Sequence, residues 1–138
     1  MLWYYEQDDD VDCAGEYLKK SNKVSKIALW GRSIGAVTAI MYASRKPNEI
    51  SAMVLDSGFY SLKTLIYELV ETRANLPQFI INRIVNVVKG AVKEKTNFNL
   101  DEIEPYKYSK NCYVPAFFCH GADDNFVKLH HCKDLFNS

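Results

Sequence analysis

A serine between two glycines is the first feature of this sequence with a clear capacity for chemistry. Residues 31–35, Gly-Arg-Ser-Ile-Gly, form the pattern G-x-S-x-G between an apolar run and a helical pattern. In that setting the pattern predicts a sharp strand-to-helix turn that presents Ser33 as a nucleophile. We expect a side chain at either Gly31 or Gly35 to collide with neighbouring backbone. Ser33 is therefore the predicted nucleophile for attack on a carbonyl carbon.

The residue after this serine begins the predicted helix and offers a second chemical group. The first N–H groups of a helix lack partners within it, and the helix dipole favours negative charge there. The backbone N–H of Ile34 is therefore the predicted donor to an oxyanion that develops when Ser33 attacks. The alternative is a glycine-flanked turn whose serine has no chemical role.

Hydrophobic patterns on both sides of the serine indicate strands that alternate with helices. Continuous apolar runs predict three strands covered on both faces, and helical spacing predicts the segments between and beside them. The predicted strands are 26–30, 50–55 and 114–119, and the predicted helices are 5–20, 34–45, two within 62–92, and 127–136. This alternation predicts parallel pairing through right-handed crossovers and an α/β fold.

The second helix within residues 62–92 is apolar around much of its circumference, so we expect something to cover it. Core packing is one explanation, and a lid over a hydrophobic acyl group is another. A membrane surface is a third, but Lys89, Lys93 and Lys95 are too few and too late in the helix for a basic interfacial face.

Composition excludes several classes of function. Seventeen basic and 17 acidic residues among 138 give a net charge of zero, which argues against a nucleic-acid partner. Neither a signal peptide nor an apolar run of about 18 residues is evident, so we expect a cytoplasmic protein without a membrane span. The four cysteines, Cys13, Cys112, Cys119 and Cys132, match no zinc module and predict free thiols. The early acidic cluster 8–12 suits a helix start better than a metal site.

The stretch from Lys26 through Leu62 resembles the middle of an α/β-hydrolase of the serine aminopeptidase or esterase-like group. The resemblance is carried by residues 31–36 and by Val-Leu-Asp-Ser at 54–57, and residues 114–124 resemble that family's penultimate strand and its H-G-x-x-D loop. It implies an α/β-hydrolase-like parallel sheet with flanking helices, incomplete, with about three strands. The domain would span residues 1–138, with a cap-like helical segment at about 62–92.

The family match implies that Asp124 is the acid of a Ser-His-Asp triad. Asp123 and Asp56 remain alternatives. A shift of one residue in the loop would make Asp123 the acid, and some family members carry the acid at the end of the preceding strand, where Asp56 lies. In this family the histidine follows the acid along the chain. Only His130 and His131 do so, and both fall within the predicted last helix rather than on a later loop.

The resemblance therefore implies a partial chain, without the family's first strands and without its catalytic-histidine segment. We expect the strand at 26–30 to leave one edge unpaired, which favours self-association. The predicted activity is a serine hydrolase that cleaves a small or lipid-like ester, thioester or amide through an acyl-enzyme on Ser33, with no metal or cofactor. The given chain alone is expected to be inactive. The alternative is a non-catalytic binding or scaffold module of the same fold.

Overall fold

The computed structural model describes residues 5–74, 76–96 and 99–138. The predicted domain 1–138 and cap-like segment 62–92 include residues 1–4, 75 and 97–98, which lie outside the described residues. Within the described ranges, the strands are β1 (Ala28–Arg32), β2 (Ala52–Asp56) and β3 (Ala116–Cys119). The helices are α1 (Tyr5–Lys20), α2 (Ile34–Arg45), α3 (Leu62–Ala74), α4 (Gln78–Thr96), α5 (Pro105–Ser109) and α6 (Leu129–Phe136), with a 3₁₀ turn at Leu100–Glu102.

The three strands form one parallel sheet in the order β1-β2-β3. Ala28 of β1 pairs with Ala52 of β2, and Met53 of β2 pairs with Ala116 of β3. This confirms the predicted α/β class with flanking helices. Because β1 lies at one edge of this sheet, the expected unpaired edge is present among the described strands, and self-association through it stays a prediction.

Helix α2 packs on one face of the sheet because its inward side carries small residues. Ala36, Ala39 and Ala43 are buried and belong to the same cluster as Met53 and Leu55 of β2. Small side chains let the helix backbone approach the strands closely, which places the start of α2 directly at the end of β1.

The opposite face of the sheet is open, and the prediction that the strands are covered on both faces is wrong. Trp30, Val54 and Phe117 are neighbours in register across the three strands. Trp30 exposes 80% of its surface and Phe117 exposes 67%. The physical reason is that α2 and the buried Leu135 of α6 pack on the face that carries Met53 and Leu55, and no described helix covers the other.

Helices α3 and α4 follow β2 and pack against each other. One side of α4 is buried through Ile81 and Val85, whereas Phe79 and Val87 expose 73% and 66% of their surfaces. The expectation that the apolar circumference of α4 is covered is therefore wrong within the described residues. In the same ranges, no helix combines the length and apolar character that crossing a lipid bilayer requires.

Candidate active site

Ser33 occupies the single-residue bend between β1 and α2, with φ 52° and ψ −115°. Its N–H donates to the carbonyl of Asp56 at 2.8 Å, and its own carbonyl accepts from the N–H groups of Ala36 and Val37. A residue other than glycine in such a sparsely populated region costs about 1–3 kcal/mol and persists only where its surroundings enforce it. The hydrogen bonds on both sides of Ser33 do so here, and the residue stays half-exposed.

The two glycines beside Ser33 differ in their surroundings. A Cβ on Gly31 would lie 2.2 Å from the carbonyl carbon and oxygen of Gly35, so the predicted collision is confirmed there. At Gly35 the same prediction is wrong, because a Cβ would meet nothing within 4 Å. The reason is that Gly35 lines an open cleft of about 290 Å³ between α1, β1 and α2, beside Val11, Trp30 and Ile34.

A polar turn lies next to Ser33 and contains Asp56, which the sequence offered as an alternative acid. Asp56 accepts a 2.8 Å hydrogen bond from the hydroxyl of Ser57, and its other carboxylate oxygen lies 3.7 Å from Nε of Arg32. Ser57 is buried with φ 53°, and its N–H donates to Cys119. The register that brings Arg32 beside Asp56 could not be read from the sequence. Asp56, the alternative acid, has both carboxylate oxygens engaged.

Asp124 lies half-buried in the loop after β3. Its Oδ1 accepts from the backbone N–H groups of Phe126 and Val127 at 2.8 and 2.9 Å, and its Oδ2 lies 3.8 Å from Nε2 of His120. Partial burial raises its pKa, but the two N–H donors and the positive charges of His120 and Arg32 outweigh this, so the pKa falls below its ordinary value of 3.8. Asp124 is therefore a fixed carboxylate at neutral pH, whereas Asp123 is exposed.

We expect Asp124→Ala to lower the free energy of unfolding by about 1–2 kcal/mol near pH 7, because the backbone N–H groups of Phe126 and Val127 lose their acceptor. A carboxyl group with a lowered pKa contributes stability above its ordinary pKa and loses it as the pH falls through the lowered value. The difference between wild type and variant should therefore shrink on acidification. Urea unfolding at about pH 7 and about pH 3 checks this. The matched Asp123→Ala variant should stay within about 0.5 kcal/mol of wild type. Equal losses of stability in both variants would contradict a stabilising role for the hydrogen bonds that Asp124 accepts.

Within the described residues, none of the three histidines forms a hydrogen bond with Ser33. His120 shares a 2.6 Å hydrogen bond with the carbonyl of Val127, within its own loop region. His130 lies 2.9 Å from Glu68 of α3, and Nε2 of His131 lies 3.6 Å from the same carboxylate. His130 and His131 are thus engaged with α3, and the structure does not bring either of them to Ser33.

Glu68, His130 and His131 are the one set of described residues whose ligand atoms converge closely enough to hold a metal ion. The fully buried His131 accepts the backbone N–H of Tyr60 at its Nδ1, which leaves the ring proton on Nε2. A protonated Nε2 cannot ligate a metal, and Lys128 lies 3.5 Å from Glu68. Burial, followed by the charge of His130, lowers the pKa of His131 and keeps it neutral. The cluster thus suits pairing between α3 and α6 better than metal binding.

Ser33 and Asp124 follow the carboxyl ends of β1 and β3, at the same edge of the sheet. With β2 between them, the two strands lie about 10 Å apart. Arg32 is close enough to Asp124 for its charge to influence that pKa. Ile34 begins α2 directly after Ser33, so its N–H has no acceptor within the helix. The arrangement places a hydroxyl, a helix-terminal amide and a fixed carboxylate at one edge of the sheet.

Comparisons with known proteins agree with this architecture. Residues 4–88 match the model of the alpha/beta hydrolase fold family. The chain is 27% identical over 132 residues to human Protein ABHD12B, covering 92% of this chain and 34% of that protein. It is 22% identical over 134 residues to the uncharacterized protein YqkD of Bacillus subtilis strain 168, covering 96% and 43%. The chain thus spans less than half the length of these curated relatives.

Two solved structures share the fold at low sequence identity. The Pyrococcus furiosus esterase Pf2001 superposes with a TM-score of 0.68 at 22% identity, covering 99% of this chain and 49% of that one. The Pyrococcus horikoshii acylaminoacyl peptidase superposes with a TM-score of 0.65 at 14% identity, covering 99% and 21%. The serine aminopeptidase subgroup stays a prediction. The match over residues 4–88 is sufficient for the superfamily: this chain belongs to the alpha/beta hydrolase fold family.

Proposed function

We propose that the protein is a serine hydrolase that forms an acyl-enzyme on Ser33. The observation that carries the proposal is the left-handed backbone of Ser33, which is held by hydrogen bonds at the junction of β1 and α2. Strain of this kind, kept in a residue with a reactive side chain, is typical of functional sites. The bend is the nucleophile elbow of the proposal, and Gly31 permits the close approach of Gly35 that it requires.

In the proposed reaction the Ser33 hydroxyl attacks a carbonyl carbon while a histidine takes its proton. The N–H of Ile34 donates to the oxyanion, and collapse of the intermediate expels an alcohol, thiol or amine that receives the proton. Water then attacks the acyl group and regenerates Ser33. Asp124 orients the histidine, and we propose that this histidine lies outside the given 138 residues.

The proposed substrate is a small or lipid-like ester, thioester or amide. An esterase and an acylaminoacyl peptidase among the structural neighbours are in keeping with acyl transfer. Helices α3 and α4 are proposed to act as a cap over the site, because part of their apolar surface is available to a hydrophobic acyl group. The mechanism requires no metal or cofactor, and the proposal includes a cytoplasmic location.

A second candidate is a binding or scaffold module that keeps the fold without catalysis. The observation in its favour is that no described histidine forms a hydrogen bond with Ser33, since His130 and His131 both lie against Glu68. Such a protein would fold normally and bind acyl compounds without turning them over. Covalent labelling separates the two candidates.

We expect a fluorophosphonate probe to label Ser33 in the protein at the length at which its cells make it. Mass spectrometry of the labelled peptide identifies the modified residue, and Ser33→Ala should remove the adduct. Ser57→Ala is the matched control, because Ser57 also has a positive φ but is buried and bonded to Asp56. A folded protein that takes up no probe would favour the scaffold function.

A further inference from the structure

His120 carries a buried imidazole that no step of the proposed reaction uses. It follows β3 directly, and its side chain exposes only 1% of its surface. Nδ1 of the ring has no hydrogen-bond partner among the described residues. An unpaired buried polar atom is unfavourable, and an apolar side chain of similar size would avoid it. A histidine at this position is therefore explained by its other ring nitrogen, Nε2.

Nε2 of His120 forms a short hydrogen bond with the backbone of Val127, 2.6 Å from its carbonyl oxygen. A carbonyl oxygen only accepts hydrogen bonds, so Nε2 carries a proton and is the donor. The bond joins the end of β3 to a residue seven positions later. The N–H of the same Val127 donates to Oδ1 of Asp124 at 2.9 Å. Both backbone polar groups of Val127 are therefore engaged, one by His120 and the other by Asp124.

The side chain of Val127 fixes this loop to the core. It exposes only 2% of its surface and belongs to the same hydrophobic cluster as Val37 of α2. The N–H of Val37 in turn donates to the carbonyl of Ser33. Val127 thus connects the loop that carries Asp124 to the first turn of the helix that follows Ser33. The position of Asp124 relative to Ser33 depends on where Val127 lies.

Asp124 is held by one of its carboxylate oxygens, and the other makes no hydrogen bond with the described residues. Oδ1 accepts from the N–H groups of Phe126 and Val127. Oδ2 lies 3.8 Å from Nε2 of His120, which is longer than a hydrogen bond. His120 therefore holds the loop around Asp124 and leaves Oδ2 available to the histidine of the proposed mechanism.

We propose that His120 is a positioning residue, whose hydrogen bond to Val127 fixes Asp124 where it can orient the catalytic histidine. The inference rests on the proposed function, because it takes Asp124 as the acid of the triad. Without the bond, the Val127 carbonyl loses its donor and the end of the loop can move. Displacing a catalytic group by about 1 Å can lower a rate about 10²-fold. Loss of the bond should therefore slow the chemical step more than it weakens substrate binding.

Two amide substitutions distinguish the two ring nitrogens of His120. The side-chain amide of glutamine reaches the position of Nε2, so His120→Gln can still donate to Val127. Asparagine is shorter and places its amide near the position of Nδ1, where no described residue receives it. In the protein at the length at which its cells make it, His120→Asn should lower kcat for a p-nitrophenyl ester about 100-fold, with KM within about threefold of wild type. His120→Gln should keep kcat within about fivefold of wild type.

A second measurement of the same variants does not depend on hydrolysis. Partial burial raises the pKa of Asp124, but the two N–H donors and the charges of His120 and Arg32 hold it below 3.8. If the loop loosens, the N–H donors move away, so His120→Asn should raise this pKa more than His120→Gln does. Both variants lack the charge of His120, so the difference between them reports the bond to Val127. Carbon NMR titration of the Asp124 carboxyl group measures it, with Asp124→Asn to assign the resonance.

Two results would overturn the positioning role, provided that circular dichroism shows the variants folded. One is an equal kcat and an equal Asp124 pKa in His120→Gln and His120→Asn, and the other is a kcat of His120→Asn within about threefold of wild type. If His120→Asn does not fold, His120→Phe replaces it, because phenylalanine fills the same space without a donor. If wild type neither hydrolyses the ester nor takes up a fluorophosphonate, the hydrolase function fails, and the NMR comparison still decides whether His120 holds Asp124.

Discussion

Removing the Ser33 hydroxyl is expected to lower hydrolysis of an activated ester by about 10⁶-fold, because the nucleophile of an acyl-enzyme mechanism has no substitute. Two substitutions of Ser33 should also distinguish the loss of activity from a change in stability. Ser33→Gly should raise the free energy of unfolding by about 1 kcal/mol, because glycine adopts the left-handed backbone without strain. Ser33→Ala removes the hydroxyl but keeps the strain, so its stability should stay near that of wild type.

Hydrolysis of a p-nitrophenyl ester, by the protein at the length at which cells make it, measures the first effect, and urea unfolding measures the second. The two variants serve as controls for each other, because both lack the hydroxyl and only one relieves the strain. Residual hydrolysis within about tenfold of wild type in Ser33→Ala would reject Ser33 as nucleophile. A glycine variant that is less stable than the alanine variant would show that the backbone of Ser33 is not strained.

Gly31→Ala is expected to destabilise the protein by about 3 kcal/mol or more. Its new Cβ would overlap the backbone of Gly35 at 2.2 Å, and no side-chain rotation can relieve a collision with backbone. Gly35→Ala provides the matched control four residues away. Its Cβ would enter the open cleft, and alanine favours helix over glycine, so stability should be unchanged or rise by up to about 1 kcal/mol.

The two glycine variants are compared by urea unfolding under identical conditions. A loss of stability in Gly35→Ala as large as that in Gly31→Ala would show that both flanks of Ser33 are crowded. That result would contradict the difference in space that the structure shows between Gly31 and Gly35. Near-wild-type stability for Gly31→Ala would show that the bend can open without disturbing the sheet.

The sequence was most informative where a local pattern imposes a local geometry. G-x-S-x-G between an apolar run and a helical pattern predicted a bend at Ser33, and the structure has Ser33 alone between β1 and α2. The three parallel strands and the long helices were predicted for the same reason, because alternation and helical period report on neighbouring residues. The short helix Pro105–Ser109 has too few residues for a periodic signal.

Burial and pairing could not be predicted equally well, because they depend on residues far away in sequence. An apolar run at Trp30 looks the same whether or not a helix covers its outer face, and here none of the described helices does. The pairing of Arg32 with Asp56 follows from strand register, which no local pattern reveals. The sequence also could not show which of the three candidate carboxylates the loop backbone holds, and here two N–H groups hold Asp124. The role of Asp124 as the triad acid stays a prediction.

The strand order also bears on how this chain tolerates evolutionary change. Ala28 pairs with a residue 24 positions later, whereas Met53 pairs with one 63 positions later, because α3, α4 and α5 lie within the second crossover. Closing the longer connection costs only about 0.9 kcal/mol more free energy than closing the shorter one. Insertions and deletions between β2 and β3 therefore cost little stability. New specificities can arise in that crossover while the sheet and α2, which hold Ser33, remain unchanged.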